Sequence, residues 1–205
     1  MSVRCAVIRH APTQWNAEKR LQGRTDIGLG PEGRIVAASW SVPVEWRNWR
    51  IVASPLVRAR ETAAILFPDR PAEIEPALRE MSFGDWEGQR LADLREAPGS
   101  DAESRESLGL DFRAPGGESP REVQQRLMPL LARLAAEGRD TVLVTHKAVQ
   151  RALYALATGW RMTERPPQKL KDGNAHLFTL EGDGRPTVLE LNIVLGATRF
   201  GASHV

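Results

Sequence analysis

Three short apolar runs, residues 3–8, 49–53 and 141–145, are rich in β-branched side chains and nearly free of polar alternation. Runs of this kind suit strands that are covered on both faces, as in a parallel sheet. Each is followed by a stretch with helical spacing. A chain that alternates strand and helix must cross over a sheet to return to it, which points to the α/β class with a mostly parallel sheet.

The punctuation agrees. Ser54-Pro55 reads as an N-cap followed by a first-turn proline, opening a helix that runs to Phe67 before Pro68 stops it. Residues 148–157 form a helix that ends near Gly159, and residues 120–137 form a longer one that ends at Gly138 and leads into the third strand. Residues 176–180 and 187–192 predict a terminal hairpin around Glu181-Gly182-Asp183-Gly184-Arg185. Gly28-Leu29-Gly30-Pro31-Glu32-Gly33 fits the spacing of a dinucleotide-binding turn, but no strand precedes it. It reads instead as a turn and the start of a helix from Pro31 through Ala38. Residues 96–119 are rich in Gly, Ser, Pro and charge, and are expected to be either a disordered surface insert or a mobile flap over a site.

Composition narrows the class. A chain of 205 residues, 41% hydrophobic, is expected to form one domain with a sizeable core. The single cysteine, Cys5, excludes an internal disulfide and lies in an apolar run, where it is expected to be a core residue. The first apolar run is too short for a signal peptide, and none approaches the roughly 18 residues of a membrane span. A soluble cytoplasmic protein with no membrane partner is the expectation. Basic and acidic side chains nearly balance, 28 against 26, and only Lys19, Lys147, Lys169 and Lys171 are lysines. Arginine suits phosphate recognition, although a solvated surface explains most of these residues equally well. They are scattered rather than clustered with aromatics, which argues against a nucleic-acid partner.

The chemistry gathers at the strand ends. The first run ends in Arg9-His10, the second in Ser54-Pro55-Leu56-Val57-Arg58 and the third in Thr145-His146. Loops at the carboxyl ends of parallel strands meet in one crevice, so two histidines and two arginines are predicted to converge. The arginines can hold a multiply charged anion, and Arg58 sits in the first turns of a helix, where the macrodipole adds positive potential. One neutral imidazole can then attack phosphorus while the other donates to a phosphoryl oxygen. A metal site is the competing use of the histidines, but no His-x-x-x-His pair, cysteine ligand set or adjacent aspartate accompanies them.

At these residues the chain resembles the histidine phosphatase superfamily, the phosphoglycerate-mutase-like proteins. The resemblance runs through Arg9-His10-Ala11-Pro12-Thr13-Gln14-Trp15-Asn16, Leu21-Gln22-Gly23-Arg24-Thr25-Asp26 and Ser54-Pro55-Leu56-Val57-Arg58-Ala59-Arg60-Glu61-Thr62-Ala63. It continues in Leu78-Arg79-Glu80-Met81-Ser82-Phe83-Gly84-Asp85-Trp86-Glu87-Gly88, in Pro115-Gly116-Gly117-Glu118-Ser119 and in Thr145-His146-Lys147-Ala148-Val149-Gln150-Arg151-Ala152-Leu153. Two positions depart from the family pattern: Ala11 and Lys147 stand where glycine is usual after each histidine.

The resemblance implies a three-layer α/β/α sandwich with a mostly parallel six-stranded sheet. It implies a phosphomonoester hydrolase that needs neither metal nor cofactor and acts on a small phosphorylated substrate. His10 is then the nucleophile that carries a phosphohistidine, and Arg9, Arg58 and His146 clamp the phosphoryl oxygens. Glu80 is the proton donor, its pKa raised by burial; a salt bridge to Arg79 is the rival role. Asn16, Gln22 and Gly23 are expected to line the phosphate side of the pocket, with turn stabilisation as their alternative. Glu87 is expected to be a helix-entry residue, Arg60 lies off the site, and His176 and His204 have no functional partner in view. Specificity is expected from residues 96–119, from Trp15 and Trp86, and near Lys169 and Lys171. A phosphoglycerate mutase on the same scaffold and a basic nucleic-acid-binding protein are the alternative functions. Substrate identity and oligomeric state are not readable.

Overall fold

The computed structural model describes residues 2–196. In chain order its elements are β1 (Val3–Arg9), α1 (Gln14–Ala17), α2 (Pro31–Ser39), β2 (Arg50–Ala53), α3 (Val57–Leu66), β3 (Glu73–Ile74) and α4 (Leu91–Glu96). There follow α5 (Ala102–Glu106), α6 (Pro120–Glu137), β4 (Thr141–Thr145), α7 (Lys147–Thr158), β5 (Asn174–Leu180) and β6 (Pro186–Val194). One six-stranded sheet runs in the order β3-β2-β4-β1-β5-β6. The pairings β1·β4, β2·β4 and β2·β3 are parallel, and the terminal hairpin adds β5 antiparallel to β1 and β6 antiparallel to β5. The sheet is therefore mostly parallel, as expected.

Strand periodicity sends alternate side chains to opposite faces, and each face has its own helices. Cys5, Val7 and Leu143 pack with Leu127, Leu131 and Leu134 of α6 and with Leu153 of α7. Ala6, Ile8, Val142 and Val144 pack on the other side with Ala59 and Ala63 of α3 and with Trp46 and Trp49. Three layers result, and Cys5 is a free, buried thiol.

Helix α6 has the bounds read from the sequence. Ser119 accepts from the Glu122 amide and Glu122 accepts from the Ser119 amide, a reciprocal cap worth about 1 kcal/mol. Gly138 ends the helix in the left-handed region at φ 68°. Pro31 likewise opens α2, and the glycine run before it is a turn. A Cβ on Gly33 would lie 1.9 Å from the Pro12 carbonyl oxygen, so close backbone approach is the use of that glycine.

Two expectations need correction. Ser54 does not cap α3: the helix begins at Val57 after an extended Leu56, without a side-chain cap. The Ser54 hydroxyl instead meets His146, 2.7 Å from its Nε2. Residues 96–119 are not a structureless insert. They contain α5 and a 3-10 turn at Gly109–Asp111, and Ala102 and Ala114 pack with Trp86 and Phe112 in a small satellite core. Paired ends hold the segment down, through Arg95 to Glu106 and Arg121 to Asp111.

Candidate active site

Register explains why distant residues meet. Arg9 pairs with Thr145, and Ala53 with Val144, so β1, β2 and β4 end at the same level. The backbone carries this one residue further. The His10 amide donates to the Thr145 carbonyl at 2.9 Å, and the Ser54 amide to Val144 at 3.0 Å. His10, Ser54 and His146 thus leave the sheet side by side, and the two imidazole centroids are 5.2 Å apart.

His10 is buried, and its Nδ1 lies 2.7 Å from the Ala11 carbonyl oxygen. A carbonyl only accepts, so Nδ1 carries the proton and Nε2 is left with its lone pair. Burial, then the Arg9 and Arg58 guanidiniums, hold the pKa well below the usual imidazole range, against the pull of the Ala11 carbonyl. Neutral imidazole with a free Nε2 is the nucleophilic form. His146 is fully buried beside it, and burial, followed by the repulsion a protonated His10 would exert and by the Arg58 and Arg9 charges, depresses its pKa in the same direction.

Two guanidiniums frame the pair. Arg58, fully buried at the start of α3, donates through Nη1 to the Thr25 carbonyl at 2.9 Å and through Nη2 to Gly23 at 2.7 Å. Arg9 is ion-paired through Nη1 to Asp172, which also lies 3.5 Å from the Lys147 ammonium. Glu80 is buried and makes no salt bridge to Arg79. It accepts from the Met81 amide at 2.9 Å and the Ala148 amide at 3.3 Å. Burial pushes its pKa up, against the lowering effect of those amides and of Arg58 and Arg9. The site thus pairs a carboxyl biased toward its neutral acid form with a histidine biased toward its neutral base form.

Glu87 is a correction. It follows a 3-10 turn rather than entering a helix, and its carboxylate collects the loop of residues 22–25. It accepts from the amides of Arg24 and Thr25, both at 2.9 Å, from the Thr25 hydroxyl at 2.6 Å and from the Phe83 amide at 3.1 Å. Burial raises its pKa, but these hydrogen bonds outweigh burial and hold it below the usual carboxylate range. That loop presents the Gly23 and Thr25 carbonyls to Arg58, so Glu87 positions Arg58 at one remove. Gly23 has φ 52°, and a Cβ there would fall 2.0 Å from Glu87 Oε1. Asn16 closes a capping box with Thr13, its Oδ1 accepting from the Thr13 amide at 2.9 Å, and also lines the cavity. The turn-stabilising and cavity-lining roles of Asn16 therefore coexist.

A cavity of about 430 Å³ opens over these groups, lined by Arg9, His10, Asn16, Gln22, Gly23, Arg58 and Glu80. Phe83, Trp86 and Phe112 make its apolar side, and Glu106 and Gly109 bring residues 96–119 to its wall. His146 is packed against His10 instead of opening to the cavity, and Trp15 and Lys171 are not part of its lining. Arg60 is exposed and His176 lies within β5, both away from the cavity; His204 lies outside the described residues. Sequence reasoning missed Ser54, Glu87 and Asp172 as site partners. Ser54 was visible as the residue after a strand, whereas Asp172 carries no local signal.

Five buried side-chain polar atoms among the described residues lack a hydrogen-bond partner, and four belong to this cluster: Arg9 Nε, Arg58 Nε, His146 Nδ1 and Gln22 Oε1. Folded proteins pair nearly all such atoms, so their concentration here marks a place built for an outside partner. Two cationic donors and an imidazole nitrogen suit an anion with several oxygens. No group of three His, Cys, Asp or Glu side chains suited to a metal ion occurs among the described residues.

Comparison with known proteins agrees with this geometry. The sequence model of the histidine phosphatase superfamily (branch 1) matches residues 5–194. A glucosyl-3-phosphoglycerate phosphatase from Mycolicibacterium vanbaalenii is 37% identical over 171 residues, covering 76% of this chain and 74% of that protein. Phosphoglycerate mutase-like protein 4 of Arabidopsis thaliana is 31% identical over 187 residues, 86% of this chain and 80% of that protein. The native structure of mycobacterial glucosyl-3-phosphoglycerate phosphatase superposes with a TM-score of 0.76 at 26% identity, over 96% of this chain and all of that one. Fold, strand-end chemistry and sequence converge on one assignment: the chain belongs to the histidine phosphatase superfamily, branch 1.

Proposed function

We propose that the chain is a metal-independent phosphomonoester hydrolase that works through a phosphohistidine on His10. The observation that carries this reading is the fixed tautomer of His10, with Nδ1 engaged by Ala11 and a lone pair left on Nε2, in a ring that burial and the charges of Arg9 and Arg58 keep neutral. Arg9 and Arg58 supply the positive charge that a metal would otherwise bring to the transferring phosphoryl group. His146 stands behind His10, its Nε2 2.7 Å from the Ser54 hydroxyl and its Nδ1 without a partner, and backs the nucleophile rather than lining the cavity.

In the first step, Nε2 forms the N–P bond as the ester P–O bond breaks, and Glu80 gives its proton to the departing alkoxide. In the second step, Glu80, now a carboxylate, takes a proton from water as the oxygen attacks phosphorus and the N–P bond breaks. One ester and one water become one alcohol and one phosphate, and Glu80 ends protonated as it began.

The substrate class is a small phosphorylated molecule, in keeping with the cavity volume and with the phosphatase names of the relatives. The working unit is a single domain, a reading supported by a family match that runs from residue 5 to residue 194. A cytoplasmic setting is part of the same proposal and accords with the free, buried Cys5 thiol. Phosphoglycerate mutase-type transfer is the second reading, favoured by the ordered cover of residues 96–119 and by the mutase-like relative.

The test is hydrolysis of an aryl phosphate in the presence of a chelator, by the wild type and by His10→Ala. Turnover by the first and none by the second is expected. Turnover that stops on adding chelator, or persists in H10A, defeats the proposal, and isomerisation of a phosphoglycerate without net phosphate release selects the second reading.

A further inference from the structure

A second cavity, about 500 Å³, adjoins the first, and the two share Lys147 and Arg151 as a common wall. These residues stand four apart on α7 and so lie on one face of the helix. Arg165 and Lys169 add two more cations to the second cavity, and Asp172 is the one acid in its lining. That carboxylate is already engaged by Arg9 and Lys147. Among the described residues Arg151, Arg165 and Lys169 make no ion pair, so the cavity carries an uncompensated positive charge.

Arg151 is the informative member. Its guanidinium lies over the ring of Trp160, 4.9 Å from the centroid, and Trp160 is itself buried with its indole nitrogen donating to the Glu164 carbonyl at 3.0 Å. Burial alone pushes the Arg151 pKa below the usual arginine range, with no carboxylate opposing it. A largely buried cation without an acid partner is costly, and stacking on an aromatic face offsets only part of that cost. The same stacking fixes the donor fork in place, which is what a planar or tetrahedral oxyanion requires.

We propose that this second cavity is an anion subsite of the enzyme, receiving a carboxylate or a second phosphate carried by the molecule whose phosphomonoester faces His10. Arg151 is its specificity-determining contact, and Lys147, Arg165 and Lys169 form its cationic surround. The inference rests on the phosphatase reading and narrows the substrate class to phosphomonoesters with a second anionic group. Lys147 gains a role here: in place of the glycine usual after the second histidine, it brings a cation to the junction of the two cavities.

The test uses alkylphosphonates, which bind at a phosphoryl site and are not hydrolysed. Calorimetric titration compares an uncharged chain with chains ending in a carboxylate or in a second phosphonate, over a series of linker lengths. At the best linker, an anionic terminus is expected to tighten binding by about tenfold or more over the uncharged chain. Whichever terminus gives the larger gain names the natural group. Arg151→Met should bring the ratio to within about twofold of unity, and Arg151→Lys should keep part of it. The exposed pair Arg165→Ala and Lys169→Ala, combined, should lower the ratio by about threefold without touching the packing on Trp160.

A ratio near one at every linker length in the wild type overturns the subsite, as does a ratio that survives R151M. Because the phosphonates are not turned over, the outcomes separate. A wild type that cleaves aryl phosphate but shows no anionic preference loses the subsite alone. A wild type with the preference but no hydrolysis loses the phosphatase reading alone.

Discussion

Replacing Glu87 with Gln separates the loop's support from the chemistry, because Glu87 makes no hydrogen bond to either histidine and reaches Arg58 only through residues 23–25. Its two oxygens accept from the amides of Arg24, Thr25 and Phe83 and from the Thr25 hydroxyl. The least costly orientation of a glutamine amide puts its NH2 where Oε2 stood. The Thr25 hydroxyl can turn and accept from it, but the Thr25 amide cannot. The remaining donors keep an acceptor and lose the charge that strengthened it. At 1.5–3 kcal/mol for hydrogen bonds to a charged group, the net loss is about 2–3 kcal/mol. For a chain of this length that lowers Tm by about 4–12 °C.

The consequence for activity follows from the carbonyls of Gly23 and Thr25, which fix the Arg58 fork. A displacement near 1 Å in such a clamp costs up to about 100-fold, so kcat/KM on an aryl phosphate should fall by about 10- to 100-fold well below the melting temperature. Thermal unfolding and steady-state kinetics on the same preparation measure both quantities. A Tm lowered as stated with kcat/KM within about twofold of wild type would refute the link from Glu87 to Arg58. Unchanged values of both would refute the hydrogen-bond reasoning itself.

Three further outcomes follow. Glu80→Gln should slow alkyl phosphates by about 100-fold or more and an aryl phosphate with a good leaving group far less, since only the former need the proton; equal losses remove Glu80 from the acid role. Stability should decline as pH falls below the usual histidine value of 6.5, because His10 and His146 stay neutral in the native state while the unfolded chain takes up their protons. Denaturant melts at a series of pH values measure this, and a slope that stays the same in His146→Gln would contradict it. Gly33→Ala should destabilise by about 1–3 kcal/mol, read as a shift in the denaturation midpoint, because the new methyl meets the Pro12 carbonyl backbone; a neutral result would mean that α2 shifts freely.

Legibility in the sequence followed the range of the interactions. His10, His146 and Arg58 could be placed because each follows a strand at a short, fixed distance, and parallel register then brings the strand ends together. Glu80 entered only through the family resemblance; its burial beside the start of α7 depends on a contact 68 residues away in sequence. Glu87 and Asp172 were missed for the same reason, since a partner 62 or 163 residues distant leaves no local period to read. Ser54 was misread because a hydroxyl after a strand and before a proline looks like a cap until His146 is seen to claim it. Residues 96–119 looked too polar to pack, yet Ala102, Phe112 and Ala114 are enough when Trp86 arrives from another segment.

Rapid alkaline quenching during turnover of a phosphomonoester, followed by peptide mapping, tests the catalytic reading at its root. Acid-labile phosphate should be found on the peptide carrying His10, at an occupancy that rises within the first turnover and is absent in H10A. Turnover at the full wild-type rate with no phosphate on His10, or with phosphate on His146 instead, would contradict the nucleophile assignment.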